Sequence, residues 1–132
     1  MDTQFVSVSK VRPWLGSIVS GLVVLFLAFD GVTKIIKVAP VVKACEKLGL
    51  PLDSIAAIGI VLLACTATYA VPRTAILGAI LLTGYLGGAA AIHVGARSGA
   101  FPIAFSIGFG LLVWVGLVLR EPRLFWWILL RQ

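Results

Sequence analysis

Charged residues are scarce in this chain. Only 12% of its 132 residues are Asp, Glu, Lys or Arg, whereas 61% are hydrophobic, and the mean hydropathy is +1.11. A soluble globular domain carries roughly 25% charged residues, because its core has to be covered by a polar surface. The composition therefore excludes such a domain and predicts one integral membrane domain, since this length holds about four spans of ~20 residues.

Cysteine and histidine are equally scarce, which limits the chemistry. The two cysteines, Cys45 and Cys65, lie twenty positions apart without a CxxC motif, and His93 is the single histidine. Neither thiol–disulfide exchange by paired cysteines nor a His/Cys metal cluster is supported by this pattern. No Ser/His/Asp constellation or carboxylate pair at catalytic spacing is evident. We therefore expect no metal site and no encoded cofactor, and the balance is against an enzyme without excluding one.

The basic net charge of +6 does not indicate nucleic-acid binding, because the eleven Lys and Arg residues lie at the ends of apolar runs. Basic residues at such positions orient membrane spans and meet anionic lipid headgroups. Membrane lipids, and not nucleic acid, are thus the expected partners. Four spans place both termini on one side, which carries six basic residues against five on the other. This small difference slightly favours an orientation with both termini in the cytoplasm.

Four continuous apolar runs predict four transmembrane helices. Continuous runs favour helices over barrel strands, in which apolar residues alternate. Pro13 suits the opening turn of the first helix, and the tight turn between spans two and three makes those two helices antiparallel neighbours. The predicted spans are 13–36, 54–71, 74–94 and 101–119.

The segments outside the four spans are short. Between the first two spans, Pro40 and Gly49 enclose a stretch with apolar residues at helical spacing, which predicts a short interfacial helix. Residues 1–12 are assigned to an N-terminal tail, and residues 120–132, with two tryptophans and flanking arginines, to an interfacial C-terminal anchor. The predicted fold is all-α: an antiparallel four-transmembrane-helix bundle with a short interfacial helix between spans 1 and 2.

Asp30 is the clearest functional candidate, because charge inside a span is costly. It lies 17 residues past Pro13, or ~25 Å along the helix, and hence in the leaflet opposite the termini. Lys34 follows one turn later on the same face, so the two side chains can pair. Two interpretations stay open: a neutralised pair that lets the helix end near the interface, and a ligand or proton site.

Further polar residues arrive at the same membrane depth. His93 lies 20 residues past Arg73, or ~30 Å, which brings it level with Asp30. Tyr85, on the same span as His93, can hydrogen-bond across helices or to a ligand. We therefore predict a polar cluster under the connector helix. Its members are Asp30, Lys34, Asp53, His93, Arg97 and Tyr85.

The third span also carries a stripe of small residues: Gly84, Gly87, Gly88 and Ala91. Such stripes let helix backbones approach closely, so these residues are predicted to pack against another helix. At 100° per residue, His93 points ~140° away from Gly88. One face of this helix is therefore expected to pack while another presents His93.

At these same residues the sequence resembles the DoxX-like family of small four-helix membrane proteins. The matching segments are SGLVVLFLAFDGVTK at 20–34, VPRTAILGAILLTGYLGGAAAIH at 71–93 and LREPR at 119–123. The family takes its name from a membrane subunit associated with thiosulfate:quinone oxidoreductase, and many members have no assigned activity. Related quinone-linked thiol oxidoreductases use paired cysteines, which this sequence lacks. The resemblance therefore implies the four-helix layout but not disulfide chemistry.

Two functions are weighed on this basis. The first is an accessory or binding subunit of a membrane complex that docks other membrane-protein subunits or a second copy of itself and holds a lipid or quinone. The alternative is a quinone-linked oxidoreductase component that uses the polar cluster to handle protons. The residues favour the first, because no redox centre is encoded. The expected location is a bacterial inner (plasma) membrane, crossed several times.

Overall fold

The computed structural model describes residues 2–121 and 123–124, with side chains from residue 12 onward. Within these ranges the protein is helical and has no strand, which confirms the predicted all-α fold. Most of the predicted C-terminal anchor at 120–132 lies outside the described residues. The helices are α1 Asp2–Ile35, α2 Ala39–Lys47, α3 Leu52–Ala70, α4 Ala75–Gly95 and α5 Ala100–Arg120, with a 3₁₀ turn at Pro72–Thr74.

Four of these helices are long and apolar enough to cross a membrane: Arg12–Ile35, Leu52–Ala70, Pro72–Gly95 and Ala100–Arg120. Between 22% and 33% of each apolar stretch is buried inside the protein, and large side chains such as Leu22 and Phe29 point outward. An apolar surface of that extent needs lipid around it. The chain is a multi-pass integral membrane protein.

The first helix differs from its predicted start. α1 begins at Asp2, so Pro13 lies inside the helix and the predicted tail at 1–12 is helical from its second residue. At 1.5 Å per residue, its 34 residues reach ~51 Å, more than a hydrocarbon core of ~30 Å requires. Proline favours the first turn of a helix, but membrane helices also tolerate it internally because other groups satisfy the freed carbonyl.

The connections on one side of the bundle end their helices in the same way. Lys37, Gly49 and Arg97 all take the left-handed backbone conformation, with φ of 53°, 78° and 55°. The amide N–H that follows each of them donates back to a carbonyl near the end of the preceding helix, at 3.1 Å in each case. This is the Schellman termination. It stops α1, α2 and α4 and leaves α2 as the short connector helix predicted between the first two spans.

The four long helices form a ring in which α1 contacts α3 and α5, and α4 contacts the same two. Within the described residues the diagonal pairs make no comparable contact. Neighbours in the ring run antiparallel, and for α1 and α5 this is seen where Gly16 lies against Arg120 at the end of α5. Near the ring axis Tyr69 is fully buried, and its hydroxyl donates to the Val113 carbonyl at 2.8 Å and pairs with the Ser20 hydroxyl at 3.0 Å.

Close approach between helices occurs at glycines other than the predicted ones. A Cβ on Gly59 would stand 2.7 Å from the Gly31 carbonyl oxygen, so α1 and α3 cross in near contact there. A side chain would come closer to another helix than van der Waals contact allows at Gly16, Gly31, Gly59, Gly78 and Gly116. The predicted stripe is different: Gly84, Gly87, Gly88 and Ala91 are exposed, and a Cβ on any of the three glycines meets nothing within 4 Å.

The packing role predicted for this stripe is therefore wrong within the chain. α4 instead turns Leu82, Leu86 and Ala90 inward, one turn apart. Gly84 and Gly88 each lie two residues from this face, or ~200° around the helix. All sides of α4 are apolar. The spacing of the small residues therefore identified a face without bulky side chains, but it did not indicate whether this face contacts another helix.

Candidate functional site

A cavity of about 620 Å³ lies in the half of the bundle next to α2. This volume is in the range of small-molecule sites, ~300–1,000 Å³. Its walls come mainly from α1, α4 and α5, and α2 covers its end. The lining residues are Phe26, Leu27, Asp30, Lys34, Pro40, Val41, Ala44, Cys45, Leu48, Leu50, Ile58, Gly84, Tyr85, Leu86, Gly88, Ala89, Ile92, His93, Phe105, Ser106 and Phe109.

An ion pair borders the cavity. Lys34 Nζ donates to Asp30 Oδ2, one helical turn away. The Lys34 side chain is 14% exposed and the Asp30 side chain is 36% exposed, so the ion pair is partly buried. Its position depends on Gly59, because a Cβ there would stand 2.9 Å from the Lys34 Cβ. Lys34 is the one lysine or arginine of the lining, and its charge is already neutralised.

His93 and Tyr85 border the cavity from α4, about two turns apart. The Nδ1 atom of His93 is buried and has no hydrogen-bond partner among the described residues. Buried polar atoms are almost always hydrogen-bonded in folded proteins. Since His93 lines the cavity, its imidazole can donate to, or accept from, a bound molecule, depending on its tautomer and ring orientation.

Helix α2 places Cys45 against the cavity with 4% of its surface exposed. Burial raises the pKa of the Cys45 thiol, and the nearby Lys34 ammonium offsets this only in part. A neutral thiol at ordinary pH is a small apolar wall and not a nucleophile. Cys45 thus closes the cavity without giving it a reactive group.

The opposite part of the cavity is aromatic. Phe26 of α1 packs against Phe109 and Phe105 of α5, with ring centroids 4.6 and 5.6 Å apart. Phe105 and Phe109 are themselves 4.8 Å apart. The nearby Ser106 is buried and donates to the Pro102 carbonyl at 3.1 Å, as serine in a helix commonly does. The cavity consequently has one polar end and one apolar side.

The structure brings together four of the six residues of the predicted polar cluster. Asp30, Lys34, Tyr85 and His93 share the cavity. Asp53 is exposed in the first turn of α3 and does not line it. Arg97 is exposed as well, because α4 ends at Gly95 and the left-handed turn carries Arg97 away. The ligand-binding role of the four residues stays a prediction.

Two groups of lining residues were missed from the sequence. The first is the inner face of α2, including Cys45 and Leu48, for which helical spacing in the connector was the available signal. The second is the set of three phenylalanines. Phe105 and Phe109 are four residues apart and so share a helix face, but in a span that pattern is equally typical of a lipid-facing surface. Gly84 and Gly88 also line the cavity, although they had been assigned to helix packing.

Comparison with known proteins gives one match. A model of the DoxX-like family matches residues 18–116, well over half of the chain. No curated protein and no solved structure matches the chain. Among the described residues there is no group of three or more His, Cys, Asp or Glu that could hold a metal ion. The matched region contains all four long spans in whole or in part and every lining residue of the cavity.

Proposed function

The chain belongs to the DoxX-like family of membrane proteins, and we propose that it is an accessory or binding subunit of a membrane complex that holds a lipid or quinone in the cavity beneath α2. The observation that carries this proposal is the division of the cavity wall. Hydrogen-bonding groups of Asp30 and His93 stand at one end, Tyr85 lies about two turns further along α4, and three phenylalanine rings form a side. An amphipathic molecule matches that division, because its head and its apolar part need different surroundings.

The depth of the polar end supports the same reading. Asp30 lies near the end of α1 and His93 near the end of α4, both on the side of α2. That side is where a span meets the headgroup layer, so a polar head placed there leaves its apolar part within the hydrocarbon region. The cavity therefore has the same orientation as a lipid in that leaflet, with its polar end at the headgroup layer and its apolar side in the hydrocarbon region.

The proposal is tested by filling the cavity. Gly88→Leu adds a side chain at the cavity wall, and Gly87→Leu adds the same side chain to the same helix outside it. Both positions have open space for a Cβ, so both variants are expected to fold. Lipids and quinones extracted from the purified wild type and both variants are then compared by mass spectrometry.

We expect a lipid or quinone retained by the wild type and by Gly87→Leu, and reduced at least fivefold in Gly88→Leu. Asp30→Asn should reduce retention as well, while the exposed carboxylate change Asp53→Asn should not. Equal retention by all five proteins would mean that the extracted molecules are bulk lipid, and the proposed binding function would be lost.

A second function is favoured by one specific feature, the placement of two proton-exchanging groups, Asp30 and His93, on one cavity. In a quinone-linked oxidoreductase component such groups deliver or accept the protons of quinone reduction. This alternative predicts that His93→Gln lowers quinone-reductase activity of the membrane complex while quinone retention is unchanged. If activity and retention stay together in every variant, the chain binds without handling protons.

The proposed location is a bacterial inner membrane with both termini in the cytoplasm, which puts α2 outside. Lys43 on α2 and Arg73 in the 3₁₀ turn are both exposed and lie on opposite sides of the bundle. A membrane-impermeant maleimide should therefore label Lys43→Cys in intact cells and Arg73→Cys only after lysis. The reverse pattern would invert the orientation. Chemical cross-linking in native membranes should in addition capture another membrane subunit or a second copy.

A further inference from the structure

A second concavity, of about 670 Å³, lies between α1 and α5. It is formed by side chains of these two helices alone, from Val19 to Phe29 and from Phe109 to Leu112, and all of them are apolar. Leu22 and Phe29 in its wall are 63% and 70% exposed. We call it the outer groove. Since it has no polar group to hold a head, it can take only hydrocarbon.

The outer groove and the inner cavity share two residues, Phe26 and Phe109. Their ring centroids are 4.6 Å apart, so this pair of rings lies between the two spaces. Side chains change rotamer on a far shorter timescale than helices move apart. A passage between the spaces therefore needs two side chains to turn and no rearrangement of the bundle.

The direction of the outer groove is that of a lipid tail. It runs along α1 from Phe29, the neighbour of Asp30, back to Val19. The ten steps between these two residues cover ~15 Å of helix, which leads from the polar end of the cavity towards the bilayer centre. A chain leaving the cavity by this route would lie parallel to the surrounding lipid tails.

The charges of the cavity limit the head. Lys34 is the one lysine or arginine of the lining, and it is already paired with Asp30. A phosphate head would add a net negative charge beside this carboxylate, and the lining holds no second lysine or arginine to meet it. The other hydrogen-bonding side chains that line the cavity include His93 and Tyr85, and they suit an uncharged head with oxygen atoms.

We propose that the bound molecule has an uncharged, oxygen-bearing head and one long apolar tail, and that the tail leaves the cavity between Phe26 and Phe109 and lies in the outer groove. This inference rests on the proposed binding function and adds the route of the tail and the charge of the head. It makes the α1–α5 interface the entry from the bilayer.

The test uses the full chain in nanodiscs and three probes with the same decyl tail: a benzoquinone, a glyceryl ether and a phosphate. The benzoquinone and the glyceryl ether have uncharged heads of two different chemical classes. The phosphate has a charged head and serves as the comparison. We expect at least one uncharged probe to bind at least tenfold more tightly than decyl phosphate. Equal or tighter binding of the phosphate would overturn the uncharged head.

The tail route is tested with two neighbouring leucines of α5. Leu112 lines the outer groove and Leu111 does not, while both are exposed to lipid. Leu112→Trp should weaken the better decyl probe at least fivefold and leave the tailless form of the same head within twofold. Leu111→Trp should change neither. An unchanged affinity of the decyl probe for Leu112→Trp, or an equal loss for both forms, would overturn the route.

A photoreactive diazirine at the tail end gives a readout that needs no variant. It should cross-link to 19–25 of α1 or to Leu112, and labelling confined to α3 or α4 would overturn the route. The tail route and the binding function can be refuted separately. If a probe binds and Gly88→Leu displaces it while the tail labels elsewhere, only the route fails. If no probe binds above background, the binding function fails with it.

Discussion

Gly78 offers the sharpest test of how the helices are held together. This residue of α4 faces the end of α3, where a Cβ would stand 2.7 Å from the carbonyl carbon of Thr68 and closer still to the backbone N and Cα of Tyr69. All three atoms are backbone, so no side chain can rotate to make room. We predict that Gly78→Ala destabilises the protein although it adds only one methyl group.

The magnitude follows from two opposing effects. Carbon contacts are comfortable at ~3.5–4.0 Å, so the methyl group would push the two backbones apart by roughly 1 Å. Overpacking of this kind costs about 1–3 kcal/mol, and moving Tyr69 adds strain to its buried hydrogen bonds with Ser20 and Val113. Alanine is preferred over glycine in a helix interior by about 1 kcal/mol, which offsets part of the loss. Because all the close atoms are backbone, the upper part of that range applies, about 2–3 kcal/mol, and the expected net loss is about 1–2 kcal/mol.

Gly88→Ala is the matched control, because it makes the same change on the same helix where a Cβ meets nothing within 4 Å. It should gain up to about 1 kcal/mol from helix propensity alone. Both free energies of unfolding are measured in one mixed-micelle system by denaturant titration followed by circular dichroism. If Gly78→Ala is as stable as the wild type, or Gly88→Ala is the less stable of the two, the assignment of the packed face of α4 is wrong.

Three further predictions concern single contacts. Tyr69→Phe should lower the free energy of unfolding by about 1–2 kcal/mol, near the upper end for hydrogen bonds in membrane proteins. A double-mutant cycle with Ser20→Ala should show coupling between the two side chains. Additive losses would mean that the 3.0 Å contact between their hydroxyls is not a hydrogen bond. Burial raises the pKa of Cys45, so in a variant with no other cysteine the rate of Cys45 alkylation should rise only at a pH above that at which an exposed thiol reacts. Lys34→Gln should move this pH profile higher still, because the Lys34 ammonium lowers the pKa of Cys45. A profile like that of an exposed thiol would contradict the prediction. Asp30→Lys and Lys34→Asp should each lower stability by about 1 kcal/mol, and the double swap should recover most of it, as thermal unfolding would show.

Much of the fold was open to prediction because a bilayer imposes few solutions. Apolar runs of spanning length have to become helices, and prolines with short polar connections separate them. The connector helix around Cys45 was predicted from its spacing, and the pairing of Asp30 with Lys34 follows from helical geometry within one element. The shared depth of Asp30 and His93 came from counting residues at a fixed rise. Each of these inferences needs only the chain's own local geometry and the thickness of the membrane.

The tertiary structure decided which way each helix faces. In water a helix turns its apolar side inward, but α4 is apolar all round, so its sequence does not distinguish the packed face at Gly78 from the open one at Gly88. Only the backbone positions of neighbouring helices make that distinction. The left-handed turn that ends α4 at Gly95 also keeps Arg97 out of the cavity. Length, span number and membrane depth were thus determined by the sequence itself, because they are properties of single helices in a bilayer. The cavity and its phenylalanine wall arise only when four helices meet, because no single span contains both sides of a contact.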